Sequence, residues 1–269
     1  MNDEFGDRMK SYEQMEAGRR LMSLLPVIAR LDGKGFSKFT HGLARPYDER
    51  LSNLMVETTR YLVMETNAVM GYCQSDEITL AWHSDNMDSQ IYFDGRIQKM
   101  VSVLAAKCSV YFNKMLPKFV PEKGDKEPVF DCRVWNLPTL EEGANAFLWR
   151  EFDATKNSIS MAAQEFYSHK ELMNKNGSDK QEMLFQKGIN WNDYPAFFRR
   201  GTYVQRRIVK SKASVEDLEK LPPKHHARLN PDLEIERSEY RRLDMPPFNH
   251  VVNRVGVVFR GEEPITAQI

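Results

Sequence analysis

The run Leu24-Leu25-Pro26-Val27-Ile28-Ala29-Arg30-Leu31 is short and apolar, and it stops at Asp32-Gly33. Eight residues ending in turn chemistry predict a buried strand that enters a loop. Asp48, a side chain suited to an N-cap, is followed by Leu51, Leu54, Met55, Thr58, Tyr61 and Leu62, which share one face of a predicted helix. Val69 to Gln74 predicts a second strand, and the alternation of Ile78, Leu80 and Trp82 with Thr79, Ala81 and His83 a third. Ser75-Asp76-Glu77 between them then forms the tip of a hairpin. Ile97, Met100, Val101, Leu104, Cys108, Tyr111, Phe112 and Met115 recur at helical spacing. A loop rich in Pro, Gly and charge follows from Pro117 to Pro128, and Val129 to Trp135 reads as a strand.

The predicted order is strand, helix, strand, strand, helix, strand, the split βαβ arrangement of ferredoxin-like folds. The fold class is therefore α+β, an antiparallel sheet covered by helices. In that topology the first strand lies beside the central hairpin, so the strand end at Asp32 neighbours the turn at Asp76. Residues from Thr139 to Leu184 read as mostly helical, Thr202 to Lys210 as a strand, and Val251 to Phe259 as a further strand. A boundary near Pro138 divides the chain into a first unit, 1–138, and a C-terminal extension of helices and a hairpin, 139–269, packed on it.

Charge changes this picture little at first. Lys and Arg number 38 and Asp and Glu 38, so the net charge is zero. A uniformly basic surface for nucleic acid is thereby excluded, and any such contact must come from a local patch. One is present. Between Asp193 and Glu216 stand Arg199, Arg200, Arg206, Arg207, Lys210 and Lys212 with no acid, interleaved with Tyr194, Phe197, Phe198 and Tyr203. Aromatic stacking with phosphate pairing suits an RNA end, while a hairpin with a charged solvent face and core Phe explains the same residues. The three cysteines, Cys73, Cys108 and Cys132, form no CxxC pair, which argues against a zinc site or disulfide framework. No apolar run approaches the ~18 residues of a membrane span, and the polar N-terminus lacks a signal-peptide core. A reduced, cytoplasmic protein fits. His225-His226 are adjacent and do not converge, so no metal site is expected there.

The candidate chemistry sits at the two acidic turns. Asp32 and Asp76, with the Gly33 carbonyl, supply hard oxygen ligands of the kind Mg²⁺ takes when it is shared with substrate phosphates. Two such ions would clamp the attacking and leaving oxygens of a phosphoryl transfer. Period-two alternation points Glu77 away from Asp76 unless the turn twists it back, so its part in catalysis depends on the turn. Lys34, Gly35, Phe36 and Ser37 follow the strand in a small loop whose backbone N–H groups can approach phosphates, without Walker spacing. Ser75 lies beside the metal ligand and can bond the same nucleotide.

Taken together, Arg30-Leu31-Asp32-Gly33-Lys34-Gly35-Phe36, Ala44-Arg45-Pro46-Tyr47-Asp48, Gln74-Ser75-Asp76-Glu77, Phe130-Asp131-Cys132-Arg133-Val134, Trp149-Arg150-Glu151-Phe152-Asp153, Asp179-Lys180-Gln181-Glu182-Met183-Leu184-Phe185 and Gly188-Ile189-Asn190-Trp191-Asn192 resemble, in order, the tRNA-His guanylyltransferase family and its 3′-to-5′ polymerase relatives. The resemblance implies a polymerase palm-type catalytic unit with two Mg²⁺ ions and a cytoplasmic homo-oligomer, a tetramer. It also implies tRNA as substrate and ATP, GTP and other nucleoside triphosphates as ligands. It adds Arg45, Arg96, Lys99 and Asn157 to the nucleotide site, and Arg133 and Lys180 to the RNA contacts, with Arg199, Arg200, Arg206, Arg207 and Lys210 from the basic patch. One departure stands out. Members that add a single G resemble one another at a His-Ile-Asn-Asn stretch, where this chain has Thr155-Lys156-Asn157-Ser158. That is more similar to the branch that repairs truncated tRNA 5′ ends against a template. A dedicated guanylyltransferase, a palm-type nucleotide cyclase and an inactive RNA-binding protein are the alternatives.

Overall fold

The computed structural model describes residues 3–212, 214–230 and 234–267. Helix α1 (Glu4–Ala17) precedes strand β1 (Val27–Gly33), the short helix α2 (Phe36–Phe39) and helix α3 (Glu49–Thr66). Strands β2 (Met70–Gln74) and β3 (Glu77–Trp82) form the hairpin, followed by helix α4 (Ile97–Phe119) and strand β4 (Phe130–Asn136). The long helix α5 (Leu140–Phe166) leads to α6 (His169–Leu172), α7 (Gly177–Gln186) and α8 (Ala196–Arg200). Strand β5 (Thr202–Lys212), helices α9 (Val215–Lys220) and α10 (His226–Leu229), strand β6 (Glu234–Leu243) and helix α11 (Arg254–Phe259) complete it.

All six strands join one sheet in the order β4-β1-β3-β2-β5-β6, every pairing antiparallel. The first four carry the split βαβ order expected from the sequence. The sheet then continues past residue 138, because β5 pairs with β2 from Cys73↔Thr202 to Met70↔Gln205. Alternation sorts the two faces. Val27, Ala29, Leu31, Ile78, Leu80 and Trp82 bury against α3 and α4 together with Leu54, Met100, Leu104 and Phe112. Ile28, Met70, Tyr72, Ala81 and Tyr203 face α5, α11 and Phe248. Asp48 caps α3 as expected, its Oδ1 accepting the Arg50 N–H at 3.0 Å. Among the described residues no helix is long and apolar enough to cross a membrane.

The C-terminal part corrects one expectation. Val251 to Phe259 is not a strand: a 3₁₀ turn at Phe248–His250 leads to an isolated bridge, Val251↔Thr266, and then to α11. Val257 and Val258 are adjacent and both buried, which suits a short helix wedged between elements. The β-branched run imitated strand composition. Strand β6 had no counterpart in the pattern because Glu-Ile-Glu-Arg-Ser-Glu-Tyr-Arg-Arg-Leu has little apolar alternation.

Glu151 of α5 ties this region to the sheet. It is buried, its Oε2 accepts the Tyr203 hydroxyl at 2.9 Å, and its Oε1 accepts the Phe248 N–H at 2.8 Å. Burial pushes its carboxyl above the ordinary 4.5, against the opposing pull of those two donors, Arg200 and His250. A raised folded pKa means stability that is present below about 4.5 and lost as pH rises through the folded value. Glu151→Gln carries no charge; its amide oxygen can still accept the Phe248 N–H, and its amide N–H can donate to the Tyr203 hydroxyl oxygen. Thermal melts should therefore show the variant gaining on the wild type between pH 4.5 and 8, ending at least as stable. A deficit that grows as pH rises would instead make the charge itself stabilising.

Candidate active site

The strand end and the hairpin tip meet as the topology requires. Asp32 pairs with Glu77 across β1 and β3, and the Gly33 N–H donates to the Asp76 carbonyl at 3.1 Å. Ser75 takes a left-handed backbone, φ 53°, and turns the chain tightly enough to bring Asp76 back over the end of β1. Gly33 is pressed by the Phe36 ring, which a Cβ would meet at 2.3 Å, so only glycine closes that corner. Phe36 in turn packs in a ring cluster with Phe39, Phe112 and Phe130 and anchors the loop after β1.

The two aspartates are electrostatically coupled. Burial pushes the Asp76 carboxyl up, its own backbone N–H opposes this, and the Asp32 charge raises it further. Glu77 behaves differently from its neighbours. It lies opposite Asp32 on the α5 face of the sheet, and Arg150 of α5 grips it with a fork: Nε to Oε1 at 2.5 Å and a terminal nitrogen to Oε2 at 2.8 Å. Arg30 stands 3.8 Å from the same carboxylate. Burial pushes Glu77 up, with Arg150 and Arg30 holding against it. Arg150 also donates to Asp153 at 2.9 Å. Glu77 thus has its oxygens occupied by arginine, whereas Asp32 and Asp76 face open space.

That space consists of two cavities sharing one floor. The larger, 580 Å³, is lined by Gly33, Gly35, Phe36, Ser37, Arg45 and Tyr47 on one side and Phe197 and Phe198 on the other. The smaller, 330 Å³, is lined by Glu77, Arg150, Asn157 and Ser160. Both are bounded by Asp32, Gln74, Ser75, Asp76, Met161 and Gln164. The aspartates therefore stand between two binding volumes. Among the described residues no three acidic, His or Cys side chains gather into a metal cage. Two coupled carboxylates beside the Gly33 backbone still fit Mg²⁺, which commonly completes its shell with water and substrate phosphate.

Lys34 is exposed outside this floor, its N–H donating to Val129. Lys180 is brought close, its Nζ donating at 3.0 Å to Ser160, which lines the smaller cavity. Arg133 is exposed on β4 and lies 3.5 Å from Asp131. Arg96 and Lys99 open α4, about 24 Å along that helix from Phe112, which packs on Phe36. They lie toward the opposite end of the sheet from the aspartates.

The basic segment also divides. Arg199 donates to the Tyr194 carbonyl at 2.6 Å and Arg200 to the Met245 carbonyl at 3.3 Å, both turned inward. Burial, then the neighbouring Arg200, lowers the Arg199 pKa. Arg207 lies about 17 Å up β5 from Thr202, beyond the end of β2 far from the hairpin tip. Arg206 donates to Ser238 and Asn67, Arg207 pairs with Glu263, and Lys210 with Glu236 at 3.7 Å. Strand β6, through Glu236, and the segment after α11, through Glu263, supply the acids that the local sequence lacked. The aromatics are corrected more firmly: Phe198 and Tyr203 are buried, and Tyr47 packs on Phe198 and Phe197 at 4.8 and 5.2 Å. Tyr47, Phe197 and Phe198 build the wall of the larger cavity and Tyr203 lies in the core under α5, so none of them forms an exposed stacking surface. Sequence reasoning missed Tyr47, Met161 and Gln164 as lining residues and Arg150 as the partner of Glu77. Arg150 stood in a singled-out motif, so its matched position was the available signal.

Comparisons with known proteins bear on the family and the fold. A family model described as tRNAHis guanylyltransferase matches residues 6–138. A solved bacterial tRNA(His) guanylyltransferase-like protein in complex with ATP is 40% identical, with a TM-score of 0.71, over 75% of this chain and 88% of its own. The crystal structure of the Saccharomyces cerevisiae tRNA(His) guanylyltransferase is 25% identical with a TM-score of 0.64, over 78% of this chain and 98% of its own. The Neurospora crassa tRNA(His) guanylyltransferase is 29% identical over 223 residues, 74% of this chain and 71% of that protein.

Proposed function

The chain belongs to the tRNA(His) guanylyltransferase family of nucleotidyltransferases, and on that premise we propose that it extends truncated tRNA 5′ ends in the 3′-to-5′ direction, choosing each nucleotide by the facing strand. The observation that carries the reading is the pair of cavities divided by Asp32 and Asp76. A transferase needs two substrates on opposite sides of one reacting phosphorus. The larger, partly aromatic cavity takes the incoming nucleoside triphosphate, ATP or GTP among them. The smaller one, with Arg150, Asn157 and, through Ser160, Lys180, takes the activated RNA 5′ end. A 3′-hydroxyl oxygen then bonds to the 5′ phosphorus as the bond to pyrophosphate or AMP breaks.

In this reading Asp32, Asp76 and the Gly33 carbonyl would hold two Mg²⁺ ions, which would supply Lewis-acid stabilisation of the charge that develops in phosphoryl transfer. Gly35, Phe36 and Ser37 shape the phosphate end of the larger cavity, with Ser75 and Arg45 at its rim. Glu77 acts by shape and charge from behind, held by Arg150, and not as a ligand. The basic residues of β5, distant from the aspartates along the strand, contact the RNA body instead of its end.

Template choice is favoured over dedicated single-G addition by the stretch where relatives carry His. Thr155 and Lys156 lie outside both cavities, Asn157 lines the smaller one, and Ser158 is spent internally, accepting the Trp191 indole N–H at 3.2 Å. No imidazole is present there to recognise one fixed nucleotide. The test uses 5′-truncated tRNAs that differ at one template base. The added base should switch with the template, and several tRNA species should be extended. Addition of G regardless of template, or activity on tRNA-His alone, would restore the dedicated guanylyltransferase.

A further inference from the structure

Helix α5 turns Arg150, Asn157, Met161 and Gln164 toward the cavities. On its neighbouring face stand Trp149 and Phe152, three residues apart and 49% and 47% exposed. Residues three apart on a helix lie side by side, so two large rings form one half-bare surface, and its Trp149 end adjoins Arg150 of the smaller cavity. Core packing does not account for them. The described partners of the Trp149 ring are two cations, Arg150 at 4.5 Å and Arg30 at 5.6 Å, and Phe152 has no aromatic partner among the described residues. Arg30 lies two residues before Asp32 on the same sheet face, and its buried Nε finds no hydrogen-bond acceptor. Beyond Arg30, Asp131 and Arg133 of β4 are exposed, and β4 is the sheet's edge strand among the described residues. An uncovered lane thus runs from the sheet edge, past the two rings, to Asp32.

We propose that Trp149 and Phe152 form a stacking wall for the base at the RNA end, next to the phosphate that reacts. The proposal rests on the reading of the smaller cavity as the RNA 5′-end site. Aromatic rings grip any base by its π-face, without reading its edge. That property is what a template-directed enzyme needs, because the last base pair of its substrate changes with every addition. Arg30 and Arg150 fix the indole through cation–π contact and place positive charge beside a ligand that carries phosphate. A mononucleotide in the larger cavity would meet neither ring, since neither lines it, so the ligand class is the terminal base of an RNA stem.

The test measures binding of a fluorescein-labelled RNA stem with a one-nucleotide template overhang to the full chain. The KM values for RNA and for nucleoside triphosphate are measured alongside it. Trp149→Ala and Phe152→Ala should each weaken RNA binding about tenfold, raise KM for RNA in parallel, and leave KM for the triphosphate and kcat at saturating RNA within about twofold. Trp149→Phe, which keeps a ring, should recover most of the affinity. Melting curves confirm that half-exposed positions tolerate the changes. Unchanged RNA affinity in both alanine variants overturns the wall. So does a fall in kcat with RNA affinity intact, since Trp149 would then merely position Arg150. A change in sedimentation mass without a change in RNA affinity overturns it too, by marking an interchain contact. In each of those cases wild-type extension still reports on the function independently, whereas a wild-type protein that binds no RNA removes both readings.

Discussion

Asp32→Ala and Asp76→Ala are each expected to abolish nucleotide transfer, by about a thousandfold or more in single-turnover rate, while the protein remains folded. Metal-centred stabilisation of a phosphoryl transition state amounts to several kcal/mol, and each 1.36 kcal/mol is a factor of ten. Among the described residues no third carboxylate gathers with the pair, and the adjacent Glu77 is held by Arg150 and Arg30. The same coupling predicts the stability result. Burial and the Asp32 charge both disfavour the ionised Asp76. Removing either partner relieves that repulsion, so neither variant should melt below the wild type in metal-free buffer. Near-normal Mg²⁺-dependent turnover in either variant would dismiss the metal assignment. A collapse of the melt would point to a structural aspartate instead.

How much of this was legible in the sequence depends on how local the signal was. The β1–loop corner and the hairpin tip are short, with glycine, serine and aspartate at the positions where the backbone bends, and their pairing follows from the strand order alone. The same logic failed for β6, whose charged residues leave no apolar alternation and whose place is set by the partner strand β5. It failed for Val251–Phe259, where two adjacent buried valines satisfy a helix packed on both sides. Side-chain roles were least visible where the deciding group is distant in sequence. Glu77 was judged by alternation relative to Asp76, yet its partner is Arg150, 73 residues on. The basic run on β5 looked uncompensated because its acids, Glu236 and Glu263, arrive from later segments. The resemblance likewise put Arg96 and Lys99 in the nucleotide site, but only the packing of α4 shows which end of the sheet they occupy.

The Glu77–Arg150 pair carries the other large expected effect. Both side chains are nearly enclosed, 14% and 9% exposed, so solvent screens them little. Deleting one partner of a buried pair typically costs about 3–5 kcal/mol, because the other charge is left uncompensated. Arg150→Met should therefore lower the melting midpoint by about 6–20 °C at pH 8, using about 2–4 °C per kcal/mol for a chain of this size. Arg30, at 3.8 Å and without a hydrogen bond to it, cannot replace the lost fork. The pH dependence follows from Glu77, whose carboxyl burial already pushes above 4.5 and which loses its main opposing charge in the variant. With the folded pKa raised further, stability is retained below about 4.5 and drains away as pH rises through the folded value. The deficit of Arg150→Met should accordingly shrink between pH 8 and pH 5. Glu77→Gln combined with Arg150→Met leaves no buried charge of this pair and should recover most of the loss at pH 8, as a double-mutant cycle would register. If the deficit were the same at both pH values and the second substitution gave no rescue, Arg150 would contribute through packing on Trp149 and not through the carboxylate it grips.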